Sequence, residues 1–346
     1  MLLILYNTKT QEHGNGLPLM PLSLITGATG FIGSCLTELL IREGHTVRCL
    51  VRPASDLRWI NGLNAGIIRA NLDETTALRE ALADVDFVFH LAGLTKATRE
   101  QECLDSNFHL TKNLIEAALA SNSGLQRFVF VSSQAAAGPS PSVKPIDETQ
   151  PPRPLTWYGQ SKLAAEQFLL EHAAVLPLTI IRPPVVYGPR DTDVLNFIRI
   201  VKSGIIPQLS GGEHYLSLIY VKDLALGIFR AALHPNTIGK IYFLANENYY
   251  SWENLGQMIL SVMGKKGLRI SIPDFAVDGL IGLNELFGRL SRKPTILNRQ
   301  KKIEMQQLYW TCSSQAALND FGFQAATSIE QGFRETINWY RENKWL

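Results

Sequence analysis

Cysteine is scarce in this chain. Cys35, Cys49, Cys103 and Cys312 are the four in 346 residues, and no two of them form a C-x-x-C pair. That argues against a disulfide framework or a metal site and suits a reducing, cytoplasmic setting. Long apolar runs are also missing. None has the length of a membrane span, and the apolar tip Met1–Tyr6 is too short for a signal-peptide core. Charge of one sign is lacking as well. A formal net charge of +2 gives no reason to expect nucleic acid or an acidic surface as partner. Residues 1–20 read as a tail with no assigned role. What remains is 46% hydrophobic and 18% charged, ordinary for a globular enzyme with one large or two modest domains.

The stretch around which the chain is organised is Leu22–Gly33. Leu22–Thr26 is a short run of strand formers. Gly27-Ala28-Thr29-Gly30-Phe31-Ile32-Gly33 follows, and Ser34–Glu43 reads as a helix with Gly44 just past its end. Strand, glycine turn and helix together give the pattern meaning. Gly27 permits the tight turn, Gly30 lets a pyrophosphate approach the backbone, and Gly33 lets the helix pack on the strand. The helix N-terminus offers free N–H groups and the positive end of its dipole. The spacing is G-x-x-G-x-x-G rather than G-x-G-x-x-G, and such turns also arise for structural reasons, so the rest of the chain must decide.

One local absence is informative. The second strand, Thr46–Val51, ends in Arg52-Pro53, where dinucleotide folds place an acid on the adenosine ribose of NAD. Asp56 comes too late for that bond. Arg52 is placed to accommodate the 2′-phosphate of NADP, so NADP is preferred and NAD is the alternative.

Further strands are expected at Ala65–Ala70, running into Asn71-Leu72, and at Asp86–Leu91, running into Ala92-Gly93. His90 lies inside the latter and reads as a packed residue. Asn107–Ala120 is a helix, and strand Arg127–Val131 delivers Ser132-Ser133 where open α/β sheets keep their ligand chemistry. A proline-rich loop spans Pro139 to Pro154. A helix from Trp157 to about His172 follows, then strand Thr179–Arg182, closed by Pro183-Pro184. The pattern loosens from Val185. Ile219–Arg230 reads as a connector-helix, Lys240–Ala245 as a strand, Trp252–Met263 as a helix capped by Ser251, Phe275–Leu290 as an amphipathic helix that packs in the lobe, with a substrate lid or membrane-surface contact as the alternative, and Ser328–Asn343 as a closing helix. The expected fold is α/β: a doubly wound parallel sheet over residues 21–190 (Rossmann fold) and a smaller substrate lobe over 191–346, parts of which can return to the first domain.

Tyr158 and Lys162 share one helical face. Tyrosine, with a reference pKa near 10, is a poor base unless a nearby cation favours phenolate. Lys162 can supply part of that stabilisation, and Ser133 can bond a substrate oxygen. Together they form a proton relay beside a hydride carrier.

With these pieces in order, the chain resembles the extended short-chain dehydrogenase/reductases, the NAD-dependent epimerase/dehydratase group. The matching stretches are TGATGFIG (Thr26–Gly33), HLAG (His90–Gly93), NLIEAAL (Asn113–Leu119), VSSQAAAG (Val131–Gly138), YGQSK (Tyr158–Lys162) and RPPVVYGP (Arg182–Pro189). The resemblance implies Tyr158 as acid/base, Lys162 as its partner and ribose ligand, and Ser133 as substrate-oxygen ligand. It implies Asn107 as support for the relay through water. It places the cofactor against Gly27, Thr29, Gly30, Phe31, Ile32, Gly33, Arg52, Asn71, Leu72, Leu91, Ala92, Gly93, Tyr158, Lys162 and Pro184. A homodimer is a common assembly in such proteins.

The departures matter. Asn71 stands where the family often has an aspartate near adenine. Nucleotide-sugar epimerases carry an asparagine where this chain has Val185, and a diphosphate-binding arginine where it has Leu216. A diphosphate binds poorly without its cation and donors. VRPASD (Val51–Asp56), IPDF (Ile272–Phe275) and SSQAALNDFGF (Ser313–Phe323) are instead similar to the dihydroflavonol 4-reductase and 3β-hydroxysteroid dehydrogenase branch. The expectation is an NAD(P)-dependent oxidoreductase of a largely apolar small-molecule carbinol or ketone. The alternatives are a nucleotide-sugar epimerase or dehydratase, and a non-catalytic dinucleotide sensor.

Overall fold

The apolar runs become a parallel sheet whose inner strands are covered on both faces. The computed structural model describes residues 20–209, 211–279, 281–282 and 298–346. The expected tail, but for Met20, and residues 280 and 283–290 of the expected helix Phe275–Leu290 lie outside the described residues. The sheet contains β1 (Leu22–Thr26), β2 (Thr46–Val51), β3 (Ala65–Arg69), β4 (Phe87–His90), β5 (Arg127–Val131), β6 (Leu178–Arg182) and, later in the chain, β10 (Lys240–Phe243). Their order is β10-β6-β5-β4-β1-β2-β3, every neighbouring pair parallel. β4, β5 and β6 are buried at every residue, which is why they read as unbroken apolar runs.

Alternate residues of β5 serve opposite faces. Val129 and Val131 join Ile25, Leu36, Leu40 and Ile228 in one core. Phe128 and Phe130 join Leu24, Leu114, Ile115 and Leu169 in the other. The first face is covered by α1 (Phe31–Arg42) and α8 (Val221–Leu233). The second is covered by α2 (Thr75–Leu82), α4 (Leu110–Ser121) and α6 (Trp157–Glu171). Strand order reverses between β1 and β4, and that crevice is where open α/β sheets bind ligands.

The expected helix Asn107–Ala120 is different in detail. α3 (Glu100–Leu104) runs through a π-helical turn, Asp105–His109, into α4. Asn107 therefore sits within that turn instead of opening a helix. A π turn re-aims a side chain, and such turns recur at functional sites. Residues 221–243 return to the parallel sheet as α8 and β10, and Ile219 and Tyr220, expected to begin the connecting helix, are the last residues of a strand.

The second core gathers β7 (Val185–Tyr187), β9 (Tyr215–Tyr220), β11 (Tyr249–Ser251) and the short strand Tyr309–Trp310 into one sheet, with β8 (Ile205–Leu209) and β12 (Leu268–Ile272) as a separate pair. α7 (Asp193–Lys202), α9 (Trp252–Met263) and the helix Ile329–Glu342 pack around it. The expected cap of α9 is present: Ser251 accepts from the Asn254 N–H in a reciprocal capping box.

Candidate active site

The glycine turn shows why each glycine stands where it does. Gly27 has φ +75°, and a Cβ there would lie 2.7 Å from the Ala92 nitrogen. A Cβ on Gly33 would lie 2.1 Å from the Gly27 carbonyl oxygen. Both are demanded by packing. Gly30 is different: a Cβ there would meet just the Gly27 oxygen, at 3.2 Å, and the residue is exposed. Its bareness keeps space open above the turn, where the first N–H groups of α1 are free. Thr29, Phe31 and Ile32 are half-buried around it. The cradle fits a dinucleotide pyrophosphate.

Leu91 and Ala92 hold the other lip of the crevice. The Leu91 N–H donates to the Thr26 carbonyl at 3.1 Å, and the Ala92 N–H donates to Thr26 Oγ1 at 3.2 Å. A buried chain continues from there. Thr26 Oγ1 lies 2.6 Å from His90 Nδ1, His90 Nε2 lies 2.8 Å from Thr111 Oγ1, and Thr111 donates to the Asn107 carbonyl. With Thr111 already donating, the His90 proton sits on Nε2 and Nδ1 accepts from Thr26. Burial, helped by Lys162, pulls His90 down to about 3. His90 is a satisfied neutral core residue, as its place inside the strand suggested.

At the adenosine end, Arg52 follows β2 exposed to solvent. Asp56 is ion-paired to Arg58 and turned away from a ribose role. Asn71 is exposed and donates its side-chain amide to Glu74 at 2.8 Å, which leaves its Oδ1 as an acceptor. Leu72 is buried, its carbonyl taking a bond from Asn113. Arg69, not anticipated from the sequence, donates to the Pro53 carbonyl at 2.6 Å and adds a cation beside Arg52.

Three elements bring the expected relay together. Ser133 ends β5 and caps α5 (Gln134–Ala137), accepting from the Ala135 N–H at 3.1 Å. Tyr158 and Lys162 stand one turn apart on α6, whose cap is Thr156. Close packing sets α6 against α5, since a Cβ on Gly159 would lie 2.2 Å from the Ala135 carbonyl oxygen. The Ser133 side chain lies beside the Tyr158 hydroxyl. Burial pushes Tyr158 up to about 12, and the Ser133 bond opposes this. Burial pulls Lys162 down to about 7, opposed by the Glu166 carboxylate. The Lys162 ammonium donates to the Val131 carbonyl at 2.8 Å and lies 4.1 Å from the Phe130 ring centroid.

Asn107 is fully buried and heavily engaged. Its Oδ1 accepts from the Leu94 N–H at 2.7 Å, and its amide donates to the Leu94 carbonyl and to Ser161 Oγ, each at 2.9 Å. Both amide protons are used in tying the β4 loop to α6. A Cβ on Gly93 would lie 2.8 Å from Asn107 Oδ1 and 3.9 Å from Lys162 Nζ, so Gly93 brings that loop against the relay. Pro184 is buried where the chain leaves β6 for β7.

An apolar cavity of about 160 Å³ lies among β7, α7, β9, α9 and residues 301–310. Phe197, Leu218, Trp252, Trp310, Val185 and Leu216 form much of its wall. Glu304 links cavity and relay: it lines the former, bonds Thr156 at 3.4 Å and acts on Tyr158. Gln300, on the same helix (Arg299–Met305), accepts from the Trp157 N–H at 2.9 Å.

A profile of the NAD dependent epimerase/dehydratase family matches residues 23–245. The chain belongs to this family. Ceramide reductase of Caulobacter vibrioides is 29% identical over 324 residues, 93% of this chain and 95% of that protein. The 4-hydroxy-2-methyl-3-oxo-4-farnesyl-3,4-dihydroquinoline-1-oxide ketoreductase of Stigmatella aurantiaca is 28% identical over 274 residues, 77% of this chain and 80% of that one. The structure of UDP-glucose 4-epimerase from Thermotoga maritima superimposes with a TM-score of 0.75 at 21% identity, covering 93% and 99% of the two chains, and shares the fold. This family member is an NAD(P)-dependent enzyme of oxidoreductase type. Among the described residues no helix is long and apolar enough to cross a membrane, and no cluster of metal-ligating side chains occurs.

Sequence reasoning missed the cavity. It also missed Gln134 and His214. Gln134 is buried beside Ser133 with neither end of its amide partnered. His214 lines the cavity, with Nδ1 3.0 Å from the Gln307 carbonyl and Nε2 unpartnered. Adjacency to Ser133 could have flagged Gln134. Nothing local marks His214.

Proposed function

We propose that the protein is an NADP(H)-preferring reductase/dehydrogenase that moves a hydride between nicotinamide and the carbinol or ketone carbon of a largely apolar small molecule. The observation that carries this is the convergence of Ser133 and Tyr158, with Lys162 one turn behind, joined through Glu304 to an apolar cavity. The dinucleotide would be held along Gly27–Gly33 and Leu91–Gly93, with Arg52 for the 2′-phosphate and Asn71, Leu72 and Pro184 along its flank. When bound it supplies or accepts the hydride. Tyr158 gives or takes the proton of the substrate oxygen, and Ser133 holds that oxygen. Lys162 steadies the phenolate and bonds the ribose. Asn107, with both amide protons engaged, acts as a positioning residue for Leu94 and α6. Residues 191–346, less α8 and β10, supply the substrate lobe.

Val185 and Leu216, which replace the polar ligands of nucleotide-sugar epimerases, are both cavity wall. This favours an apolar substrate over a nucleotide sugar. Two of the relatives are named as a ceramide reductase and as a ketoreductase of a farnesyl-bearing dihydroquinoline oxide, which agrees with that wall. The test is the nucleotide released from freshly purified, denatured protein. An empty protein that binds NADPH more tightly than NADH supports the reading. Stoichiometric, tightly held NAD points to an epimerase, which must keep its cofactor through the cycle.

A further inference from the structure

The two-stranded sheet β8/β12 turns an apolar face outward. Leu268 pairs with Ile205 and Ile270 with Pro207 in parallel register, so their side chains share one side. Ile206, on the other side, is buried against Gly256. Leu268 is 76% exposed, and Phe275, just beyond the strand, is 78% exposed. Ile205, opposite Leu268, and Ile270 are exposed on the same pair of strands, and Ile200 is exposed in the last turn of α7. Scattered exposed leucines need no explanation, but a contiguous apolar patch marks an interaction surface.

Cations border this patch. Lys202, Lys265 and Lys266 are all exposed. The Lys265 ammonium donates to the Lys202 carbonyl at 2.8 Å, a neutral acceptor, which gathers these charges next to β12. The Leu268 N–H bonds the Gly204 carbonyl at 2.8 Å, fixing strand and helix end together. The neighbouring acid Glu253 is matched by Arg269. Apolar side chains bordered at the Leu268 end by lysines that have no ion-pair partner among the described residues are complementary to an anionic bilayer, whose interface takes the former and whose headgroups take the latter. A second copy of this chain is a poorer fit, since protein interface cores are depleted in lysine.

We propose that this face docks the protein on an anionic membrane surface. The patch and the cavity share their supports. α7 contributes Phe197 to the cavity and, a turn later, Ile200 to the patch. The segment after β12 is tied by the Asp278–Lys302 ion pair to the helix that supplies Lys301 and Glu304 to the cavity. Docking does not depend on the chemistry; its use in bringing an apolar substrate from the bilayer to the cavity rests on the reading above.

The test is co-sedimentation of the full chain with vesicles of phosphatidylcholine alone and with vesicles containing phosphatidylglycerol. Binding is expected to be about tenfold stronger to the anionic vesicles and to weaken with added salt. The double variant Leu268→Glu/Phe275→Glu should lose about tenfold or more in binding with an unchanged melting temperature. Lys202→Glu/Lys266→Glu should abolish the preference for anionic vesicles. The proposal is overturned if wild type binds neither vesicle, binds both equally, or binds no better than Leu268→Glu/Phe275→Glu. It is also overturned if size-exclusion chromatography shows a dimer that this variant dissociates, which would assign the face to a second copy. None of these readouts depends on turnover, so failure here leaves the catalytic reading standing, and failure there leaves docking standing.

Discussion

Glu166 and Arg182 form a buried fork: Nε donates at 3.0 Å to one carboxylate oxygen, and a terminal nitrogen donates at 2.5 Å to the other. Arg182 ends β6, and Glu166 stands one turn beyond Lys162, so the pair pins α6 to the sheet edge that delivers Pro183-Pro184. The Glu166 charge is largely taken up by Arg182, and what reaches Lys162 opposes burial without cancelling it.

Breaking this pair leaves Arg182 buried and uncompensated. Glu166→Gln keeps the shape and removes the charge, and the expected loss is about 3–5 kcal/mol of stability. Urea denaturation at neutral pH checks it. A loss below about 1 kcal/mol, the range of exposed pairs, would contradict the account.

Lys162 gives a pH signature. Its ordinary pKa is 10.5, and burial holds it at about 7 in the folded protein. Between those values the unfolded chain binds more protons than the folded one, so this residue makes stability rise with pH from about 7 to about 10. Below about 7 both states are protonated and the penalty is present in full. Lys162→Met should remove that slope, raise the melting temperature at neutral pH and abolish turnover, a trade of stability for function. An unchanged slope in the variant would contradict the assignment.

Gly30 and Gly33 separate cofactor space from packing. Gly30→Ala should fold, with stability within about 1 kcal/mol of wild type, yet lose dinucleotide affinity by tenfold or more, about 1.4 kcal/mol. Gly33→Ala, whose Cβ would lie 2.1 Å from a carbonyl oxygen, should lose several times more stability. Melting curves with and without NADPH distinguish the two. Equal effects of both variants would mean that Gly30 serves packing alone.

Arg52→Ala should weaken NADPH binding about tenfold to a hundredfold, the range for a charge-assisted bond of about 1.5–3 kcal/mol, and leave NADH almost unaffected. Paired titrations monitored by nicotinamide fluorescence give the ratio. If Arg69 carries the 2′-phosphate instead, its variant will show the preference change and Arg52→Ala will not.

The sequence made the nucleotide half legible because local signals there agree with the tertiary outcome. A glycine turn, strands apolar at every position and a Tyr158–Lys162 pair at helical spacing each reflect a single element. The structure brings Ser133, at the junction of β5 and α5, to Tyr158 and Lys162 of α6. Asn107 was harder: it was expected to open a helix, but the π turn is a matter of packing between α3, α4 and α6. The cavity was not legible because its wall is drawn from β7, α7, β9, α9 and residues 301–310, far apart in the chain. The return of β10 to the sheet was foreseen only in outline, since a short strand after an irregular stretch carries no mark of its partner.

The central claim is that Tyr158 exchanges a proton with a substrate oxygen while a hydride moves to or from nicotinamide. The most direct measurement is single-turnover loss of NADPH absorbance against a panel of long-chain and polycyclic ketones, for wild type and Tyr158→Phe. The account predicts turnover with at least one apolar ketone, and a fall of about 10²–10⁴-fold in the variant with NADPH affinity retained. Full turnover by Tyr158→Phe would contradict it.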